Sequence, residues 1–211
     1  MEVPKEVDEL KDDLVWTKHY VDEYKKLFLH SQKRIDLLNH TAPGFFRDVQ
    51  IMFWDIMTVG VARLMDPHIQ RSNRNLSLDI LLKLAKENRW EFEFELKNLI
   101  EKAKKKAAPI ITRRMKVTAH RDLPTAMGDV VLDKVGIDEI EETLELAGKA
   151  LNLIYFNLTE GTWSWSLVTG HDSNELVHYL KLAVIYKDLN EKEQDWQREA
   201  ELWRGSEFFD A

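Results

Sequence analysis

Apolar side chains recur three or four positions apart along most of the chain, which is the spacing of one face of an α-helix. The spacing predicts helices over residues 5–40, 45–65, 78–86, 90–120, 137–158 and 173–204. Between them, 67–75 is predicted to be a polar loop, and 122–136, with Pro124 and Gly128, to be a connector. The pattern therefore predicts an all-α fold, a helical bundle with one or two long connections.

The segment 45–65 differs from the others because it is apolar nearly all round. Within it, Phe53, Trp54 and Ile56 surround the acid Asp55. A helix that is apolar on every face is typical of a buried position, so we expect this helix to be central. A carboxylate buried there is costly unless it meets a base or a hydrogen-bond donor, so Asp55 is a candidate supporting residue for a site.

Capping and breaking signals refine the helix ends. Ser77 is suited to cap the helix at 78, and Asp172 and Glu175 have the spacing of a capping box. Residues 90–95 alternate strictly, as a short strand would, but a lone strand has no partner, so a helix start is favoured. Pro109 is expected to kink or break the helix that follows, because proline lacks the N–H that a helix interior needs.

Length and composition limit the class of protein. With 211 residues the chain is expected to form one domain, 1–211, with a core of about 5–190 and a helical extension of about 190–204. The absence of cysteine excludes a disulfide scaffold, a thiol nucleophile and a thiolate metal site. Neither a secretory signal nor a long apolar run is visible, so we expect a soluble cytoplasmic protein without a membrane partner.

Basic side chains are concentrated in one window. Glu101–Arg121 contains eight basic residues and one acid, a charge of +7, whereas the whole chain carries −7 and the remainder therefore −14. A lysine run is often a solvated helix face that balances acidic neighbours. The alternative is a binding site for a polyanion such as RNA. The basic residues are Lys102, Lys104, Lys105, Lys106, Arg113, Arg114, Lys116 and Arg121.

Known catalytic motifs are mostly missing from the chain. It has no Gly-rich phosphate loop, no GxSxG elbow and no HExxH helix. Glu175 and His178 have the Glu-x-x-His spacing of di-iron bundles, but that chemistry needs two such pairs and only one is present. We therefore predict no metal site and no cofactor.

The remaining candidate lies at the end of the basic window. Two arginines, Arg113 and Arg114, precede His120 in a short stretch. Cleavage of RNA without a metal needs a group that moves protons near neutral pH, which suits histidine. It also needs a cation on the charge that develops at phosphorus, which suits arginine.

The stretch Arg114-Met-Lys-Val-Thr-Ala-His120-Arg-Asp122 resembles the Arg-Asn-Lys-x-x-Ala-His-x-Asp form of the Arg-x(4–6)-His signature of HEPN-domain proteins. Upstream, Ala62-Arg-Leu-Met-Asp-Pro67 and Asn75-Leu-Ser-Leu-Asp79 resemble the abortive-infection U-type branch of that superfamily. The resemblance covers about residues 5–190. It implies an all-α bundle that forms a homodimer, in which two signature motifs meet in a cleft.

The resemblance also implies a function and residue roles. Many HEPN proteins are metal-independent ribonucleases in phage defence or toxin–antitoxin pairs, so RNA and an antitoxin protein are the expected partners. His120 is implied as the acid–base residue and Arg114 as the phosphate binder. On a straight α-helix, however, Arg114 and His120 are about 120° apart, whereas Arg113 and His120 are about 20° apart. Arg114 is the first choice and Arg113 the second.

Further residues receive smaller roles. Lys116 matches the lysine of the motif, and with Arg113, Arg121 and Lys104–Lys106 it is a candidate for binding phosphate. Asp122 is a candidate to orient His120, and Arg63, near the end of the helix 45–65, to face the cleft. For each of these residues, the alternative is a solvated or purely structural role. Trp163 and Trp165 are candidates either for stacking on bases or for packing in the core or an interface.

Two other functions compete with the ribonuclease. Met115 replaces the polar residue of the motif, which favours a catalytically silent HEPN protein that binds RNA, a nucleotide or a partner protein. A purely structural helical adaptor is the third hypothesis.

Overall fold

The computed structural model describes residues 2–70, 72–119, 122–164 and 172–193, with side chains up to residue 189. The all-α prediction is confirmed. Two π-helical segments, Lys25–Leu29 and Arg114–Ala119, continue directly from α1 and α5. The α-helices are α1 (Lys5–Tyr24), α2 (Gln32–Thr41), α3 (Pro43–Met65), α4 (Leu78–Glu87), α5 (Glu93–Arg113), α6 (Leu123–Met127), α7 (Ile137–Thr159) and α8 (Ser173–Glu193).

Contacts group the chain into two compact units. The first consists of Met1–Tyr24 and Asp48–Val168, and the second of Lys25–Arg47 and Thr169–Ala211. The prediction of one domain over residues 1–211 stays a prediction. Of the expected extension, α8 accounts for residues up to Glu193, and 194–204 lie outside the described residues.

The core of the first unit is built around α5, which packs against α4 and α7, while α1 packs against α4 and α7. The buried side of α5 is a regular stripe with helical spacing, in which two alanines lie between larger side chains. Helix α7 also buries several small residues, which lets neighbouring helices approach closely. The buried residues are Leu96, Ile100, Ala103, Ala107 and Ile110 on α5, and Ile140, Thr143, Leu144, Ala147, Gly148, Ala150, Leu151, Ile154 and Leu158 on α7.

Polar groups also tie α1 to α7. Lys11 donates to Asp8 at 2.9 Å and to the hydroxyl of Tyr155 on α7 at 3.1 Å, and that hydroxyl also donates to Asp8. The hydrogen bond from Lys11 holds the pKa of Asp8 below its usual value. About two turns after Lys11 on α1, Lys18 donates to Glu141 of α7 at 3.1 Å. The N-terminal helix is thus fixed on the same core that holds α5.

The second unit joins α2, α8 and the π-helical Lys25–Leu29. Asp172, just before α8, accepts from Lys26 at 2.7 Å and from the backbone N–H of Asn174 at 2.8 Å. The hydrogen bond from Lys26 lowers the pKa of Asp172. Asp172 thus caps α8 as predicted, while the reciprocal capping-box bond from Glu175 stays a prediction.

The prediction of one long helix over residues 5–40 is wrong. The α-helix ends at Tyr24, and after the π-helical segment Ser31 starts α2 with an extended backbone. The Ser31 hydroxyl accepts from the N–H of Arg34 at 3.3 Å, which is a side-chain N-cap. Apolar residues keep a helical spacing across the break, so their periodicity did not reveal it.

Other boundaries also needed correction. Helix α5 runs through Pro109 without a break, and the change of helix type comes later, at Arg114. The predicted loop 67–75 contains the antiparallel strands β1 (Ile69–Gln70) and β2 (Asn73–Arg74). The connector 122–136 contains α6. Ser77 does precede α4, but its buried hydroxyl has no hydrogen-bond partner among the described residues.

The prediction that the helix 45–65 is buried on all sides is wrong. Helix α3 buries Met57, Val61 and Leu64, but Met52 is 59 % exposed and Ile56 is 42 % exposed on its opposite side. The apolar side chains on the exposed side of α3 therefore do not contribute to the core of this chain. No helix in the described part of the chain is both long and apolar enough to cross a bilayer.

Candidate functional site

The basic window ends in a change of helix type. Beyond Arg113 the chain forms the π-helical segment Arg114–Ala119, which we call the signature segment. Residues four positions apart lie on nearly the same side of an α-helix, so Arg114 follows Ile110 on the buried stripe of α5. The Nε of Arg114 is accordingly buried, and it has no hydrogen-bond partner among the described residues. The register therefore changes where the apolar stripe meets a charged side chain, and such π-turns are frequent at functional sites.

The angular argument that favoured Arg113 over Arg114 assumed a straight α-helix. It fails beyond Arg113, because the i→i+5 bonds of a π-helix change the angle between successive residues. His120 and Arg121, predicted as acid–base residue and phosphate binder, lie outside the described residues. Their roles stay predictions.

A hydrogen bond connects the signature segment to α3. The hydroxyl of Thr118 donates to Oδ1 of Asp55 at 3.0 Å. Asp55 is half-buried, and the expectation that it meets a hydrogen-bond donor is confirmed. The contact joins two segments separated by 63 positions and fixes the side of the signature segment that faces α3.

Beside this bond lies an open cavity of about 430 Å³, which we call the signature cavity. Its wall combines a guanidinium, a carboxylate, an amide and aromatic rings, drawn from α1, α3, α5, the signature segment and the connector before α7. Arg113 lines it, whereas Arg114 is not among the lining residues. They are Tyr24, Gln50, Ile51, Trp54, Asp55, Arg113, Val117, Thr118 and Val135.

Asp122 caps α6. Its Oδ2 accepts from the hydroxyl of Thr125 at 2.6 Å and from the Thr125 N–H at 3.2 Å, and the ammonium of Lys116 lies 3.7 Å away. The hydrogen bonds from Thr125 lower the pKa of Asp122, and Lys116 acts in the same direction. The capping role of a helix-terminal acid is thus observed, and the predicted orientation of His120 by Asp122 stays a prediction.

The lysine run is partly neutralised by neighbouring helices. Lys104 pairs with Asp79 of α4, and Lys106 pairs with Glu142 of α7. The hydrogen bond that Lys106 donates to Glu142 raises the pKa of Lys106. Lys105, on the side of α5 away from its buried stripe, is exposed. Two of the three lysines of the run 104–106 therefore already pair with intramolecular carboxylates.

Arg63 does not line the signature cavity. It donates to both oxygens of Asp13 on α1, at 3.0 and 3.2 Å, at the end of a second cavity of about 320 Å³ between α1 and α3. Asp55 and Arg63 are eight positions apart on α3, which is about 12 Å along a helix axis. The ion pair with Asp13 ties α1 to α3, and the predicted role of Arg63 at a cleft stays a prediction.

Two further expectations concern aromatic residues and metals. Trp163 packs edge-on against Tyr155, with ring centroids 6.1 Å apart, as a packing role requires, while Trp165 lies outside the described residues. His178 is exposed beside Tyr179. Within the described ranges, no group of three or more His, Cys, Asp and Glu side chains has an arrangement that could hold a metal ion.

The chain thus combines an all-α fold with a signature segment that begins at Arg114, directly after α5. The family model HEPN_AbiU2, described as AbiU2, matches residues 2–179 of this chain. The chain therefore belongs to the AbiU2 family of HEPN domains. No curated protein and no solved structure matches it.

Several cavity residues were not anticipated. Gln50, Trp54 and Thr118 received no role from the sequence, although Gln50 and Trp54 are four positions apart and therefore share a side of α3. That spacing could have predicted that Gln50 and Trp54 lie on the same wall of a site. Thr118 carried none, because the contact with Asp55 depends on the π-helical register.

Replacing Thr118 by valine tests whether its hydroxyl holds the signature segment in place. The Thr118→Val variant keeps the shape of the side chain but removes the donor to Asp55. A net hydrogen bond contributes about 1 kcal/mol, so we expect amide hydrogen exchange in Arg114–Ala119 to be about fivefold faster. Hydrogen-exchange mass spectrometry measures this.

Thr112→Val is the matched control, because the Thr112 hydroxyl donates to the Ala108 carbonyl within its own helix, at 2.9 Å. If both variants changed exchange in the signature segment equally, or neither did, the Asp55–Thr118 bond would not position that segment.

Proposed function

We propose that this AbiU2-family domain is a metal-independent endoribonuclease of the HEPN type, acting as a homodimer in phage defence or as a toxin. The main support is the position of the signature segment, which adjoins an open cavity lined by the cationic Arg113. Family membership supports the same class of activity. A cytoplasmic location and an antitoxin partner are parts of this proposal.

The proposed reaction is an internal transfer at phosphorus. The ribose 2′-hydroxyl loses its proton to one His120 imidazole and attacks the adjacent phosphorus. The bond from phosphorus to the 5′-oxygen breaks, and that oxygen receives a proton from His120 of the partner subunit. The products are a 2′,3′-cyclic phosphate and a 5′-hydroxyl. General acid and base groups contribute about 10²–10⁴-fold each to such steps.

Arginine stabilises the negative charge that develops on the phosphoryl oxygens, because its fork of donors stays charged. Arg114 is the arginine of the family motif, and Arg113 is the one that lines the signature cavity. Exposed lysines on α5, Lys102 and Lys105, attract the RNA backbone. Lys104 and Lys106 contribute less, because each already pairs with a carboxylate.

The His120→Ala variant tests the activity. Purified wild-type protein is expected to cleave single-stranded RNA, and the variant to cleave at least about 100-fold more slowly, since it lacks the proton-transfer group. Gel analysis of a labelled RNA measures the rate. His30→Ala is the matched control, because His30 is exposed and far along the chain from the signature segment. Equal cleavage by the wild type and by His120→Ala would refute the assignment.

The homodimer is supported by an uncovered apolar surface, which we call the α1–α3 face. Trp16 of α1, which is 54 % exposed, and Met52 and Ile56 of α3 form its exposed part, next to the half-buried Tyr20. An extended apolar patch of this kind usually marks an interaction site. A second copy of the chain is the occupant that we propose.

The dimer is tested by a charge on this face. Light scattering is expected to give twice the chain mass for the wild type and the mass of one chain for Ile56→Glu. The variant should be monomeric because an unpaired carboxylate in an apolar interface is unfavourable. Val131→Glu is the control, since Val131 is 93 % exposed in the connector before α7. A monomeric wild type, or a dimeric Ile56→Glu, would contradict the proposed dimer.

A catalytically silent HEPN protein that binds RNA, a nucleotide or a partner is the second candidate. Met115 favours it, because its half-exposed thioether replaces the polar residue of the motif and cannot donate a hydrogen bond. Salt-sensitive RNA binding without cleavage by the wild type would support this function over the nuclease.

A further inference from the structure

The walls of the signature cavity combine two kinds of surface that ligand sites need. Ile51, Trp54 and Val117 supply apolar and aromatic area, while Gln50, Asp55 and Arg113 supply polar groups. Its volume of about 430 Å³ falls within the range of about 300–1,000 Å³ that is typical of small-molecule sites. The cavity is therefore large enough for a planar ring system with polar edges.

The aromatic part of the wall suits a planar ligand. Trp54 is half-buried, and its ring centroid lies 6.1 Å from that of Tyr24, with the planes inclined by 57°. Gln50 donates to the Tyr24 hydroxyl at 3.3 Å, which fixes this amide on the same wall. Indole and phenol rings are the surfaces on which nucleobases stack in proteins that bind single strands.

The charged groups face the cavity without neutralising each other. Oδ1 of Asp55 accepts from Thr118, and carboxylate oxygens each have two lone pairs, so Asp55 keeps acceptor capacity. In the part of the chain that the structure describes, Arg113 forms neither a hydrogen bond nor an ion pair, with Asp55 or with any other residue. The cavity thus offers one set of acceptors and one set of donors.

From this combination we infer that the signature cavity binds a guanine base. Guanine carries two neighbouring N–H donors, at N1 and N2, which match a carboxylate such as Asp55. Its O6 and N7 are acceptors, and arginine contacts them in a bidentate manner in the commonest specific contact to this base. The ring stacks on the wall formed by Trp54, as extruded bases do in enzyme pockets.

The other bases fit this arrangement less well. Adenine and cytosine each place a ring-nitrogen acceptor beside their amino group, and that lone pair opposes a carboxylate. Uracil has a single N–H donor between two carbonyl oxygens. An acceptor-only group such as the carboxylate side chain of Asp55 therefore selects guanine among the four bases.

The ligand comes either from RNA or from a free guanine nucleotide. The RNA source rests on the proposed nuclease and adds base selectivity to it, because the cavity adjoins the segment that carries the cleavage motif. The free-nucleotide source does not depend on cleavage. The two sources share the same base chemistry and are separated by the ligands used in the test.

Calorimetric titration of the full chain with 5′-nucleoside monophosphates tests the inference. GMP is expected to bind more tightly than AMP, CMP and UMP. Inosine monophosphate, which lacks only the 2-amino group of guanine, is expected to bind about tenfold more weakly, because one hydrogen bond to a charged group is lost. Absence of GMP binding, or equal binding of the four nucleotides, would overturn the inference.

Two variants place the binding in the cavity. Asp55→Asn retains one oxygen that accepts from Thr118 but replaces the second acceptor oxygen by an NH2 donor. The preference for GMP over inosine monophosphate should therefore fall to near unity. Trp54→Leu removes the stacking surface and should weaken all the nucleotides about tenfold. Asp12→Asn and Phe94→Leu, which alter exposed side chains on α1 and α5, should leave binding unchanged.

A merely structural role for Asp55 would weaken every nucleotide by the same factor and leave the preference intact, which would overturn base reading by this residue. GMP binding that neither cavity variant alters would place the site elsewhere and equally overturn the inference.

The source of the base is resolved with RNA. A single-stranded oligonucleotide with one guanine is compared with the same strand carrying adenine at that position. Tighter binding of the guanine strand identifies RNA as the source, whether or not it is cleaved. Selective GMP binding with equal affinity for both strands identifies a free nucleotide. Cleavage with no GMP binding would leave the nuclease standing and remove the guanine site.

Discussion

The close packing of α5 against α7 is the constraint on which the candidate site depends. Ala103 and Ala107 on α5 are fully buried, as are Ala147 and Ala150 on α7. Small side chains let the two helices approach closely, and the larger residues before and after them fill the remaining core. Since this stripe fixes the rotation of α5, it also decides which basic side chains remain on the surface.

The same rotation explains the distribution of the lysines and the position of the signature segment. Lys104 and Lys106 flank the buried stripe on its two sides and reach Asp79 and Glu142, whereas Lys105 is exposed. Arg114 is the next residue on the stripe, and a guanidinium does not belong in an apolar core. The helix changes to π geometry at that residue, and Thr118 then reaches Asp55 on α3.

The helices were largely predictable because each core-facing side repeats its apolar residues with helical spacing. The ends of α3 and α7 were predicted within about two residues for this reason, which is the usual precision of helix boundaries. The break near Ser31 was not, since Leu27, Phe28 and Ile35 keep the period across it. Periodicity reports which side of a segment is apolar, and it does not report whether the backbone between two apolar residues is continuous.

The candidate site was predictable only as a set of residue types. The basic window and the likeness of its last part to the HEPN signature are properties of the sequence, and so is the isolation of Asp55 among apolar residues. The contact of Asp55 with Thr118 depends on the π-helical register, which residue spacing does not encode. The exposure of Ile56 was also hidden, because an apolar residue left on the surface looks the same in a sequence as one in the core.

The chemistry of the RNA ends tests the proposed activity most directly. After incubation of the purified protein with single-stranded RNA in EDTA, mass spectrometry of the products identifies the terminal groups. A transfer from the 2′-hydroxyl predicts a 2′,3′-cyclic phosphate on one fragment and a 5′-hydroxyl on the other. Products with a 3′-hydroxyl and a 5′-phosphate, or cleavage that stops when EDTA is added, would contradict it.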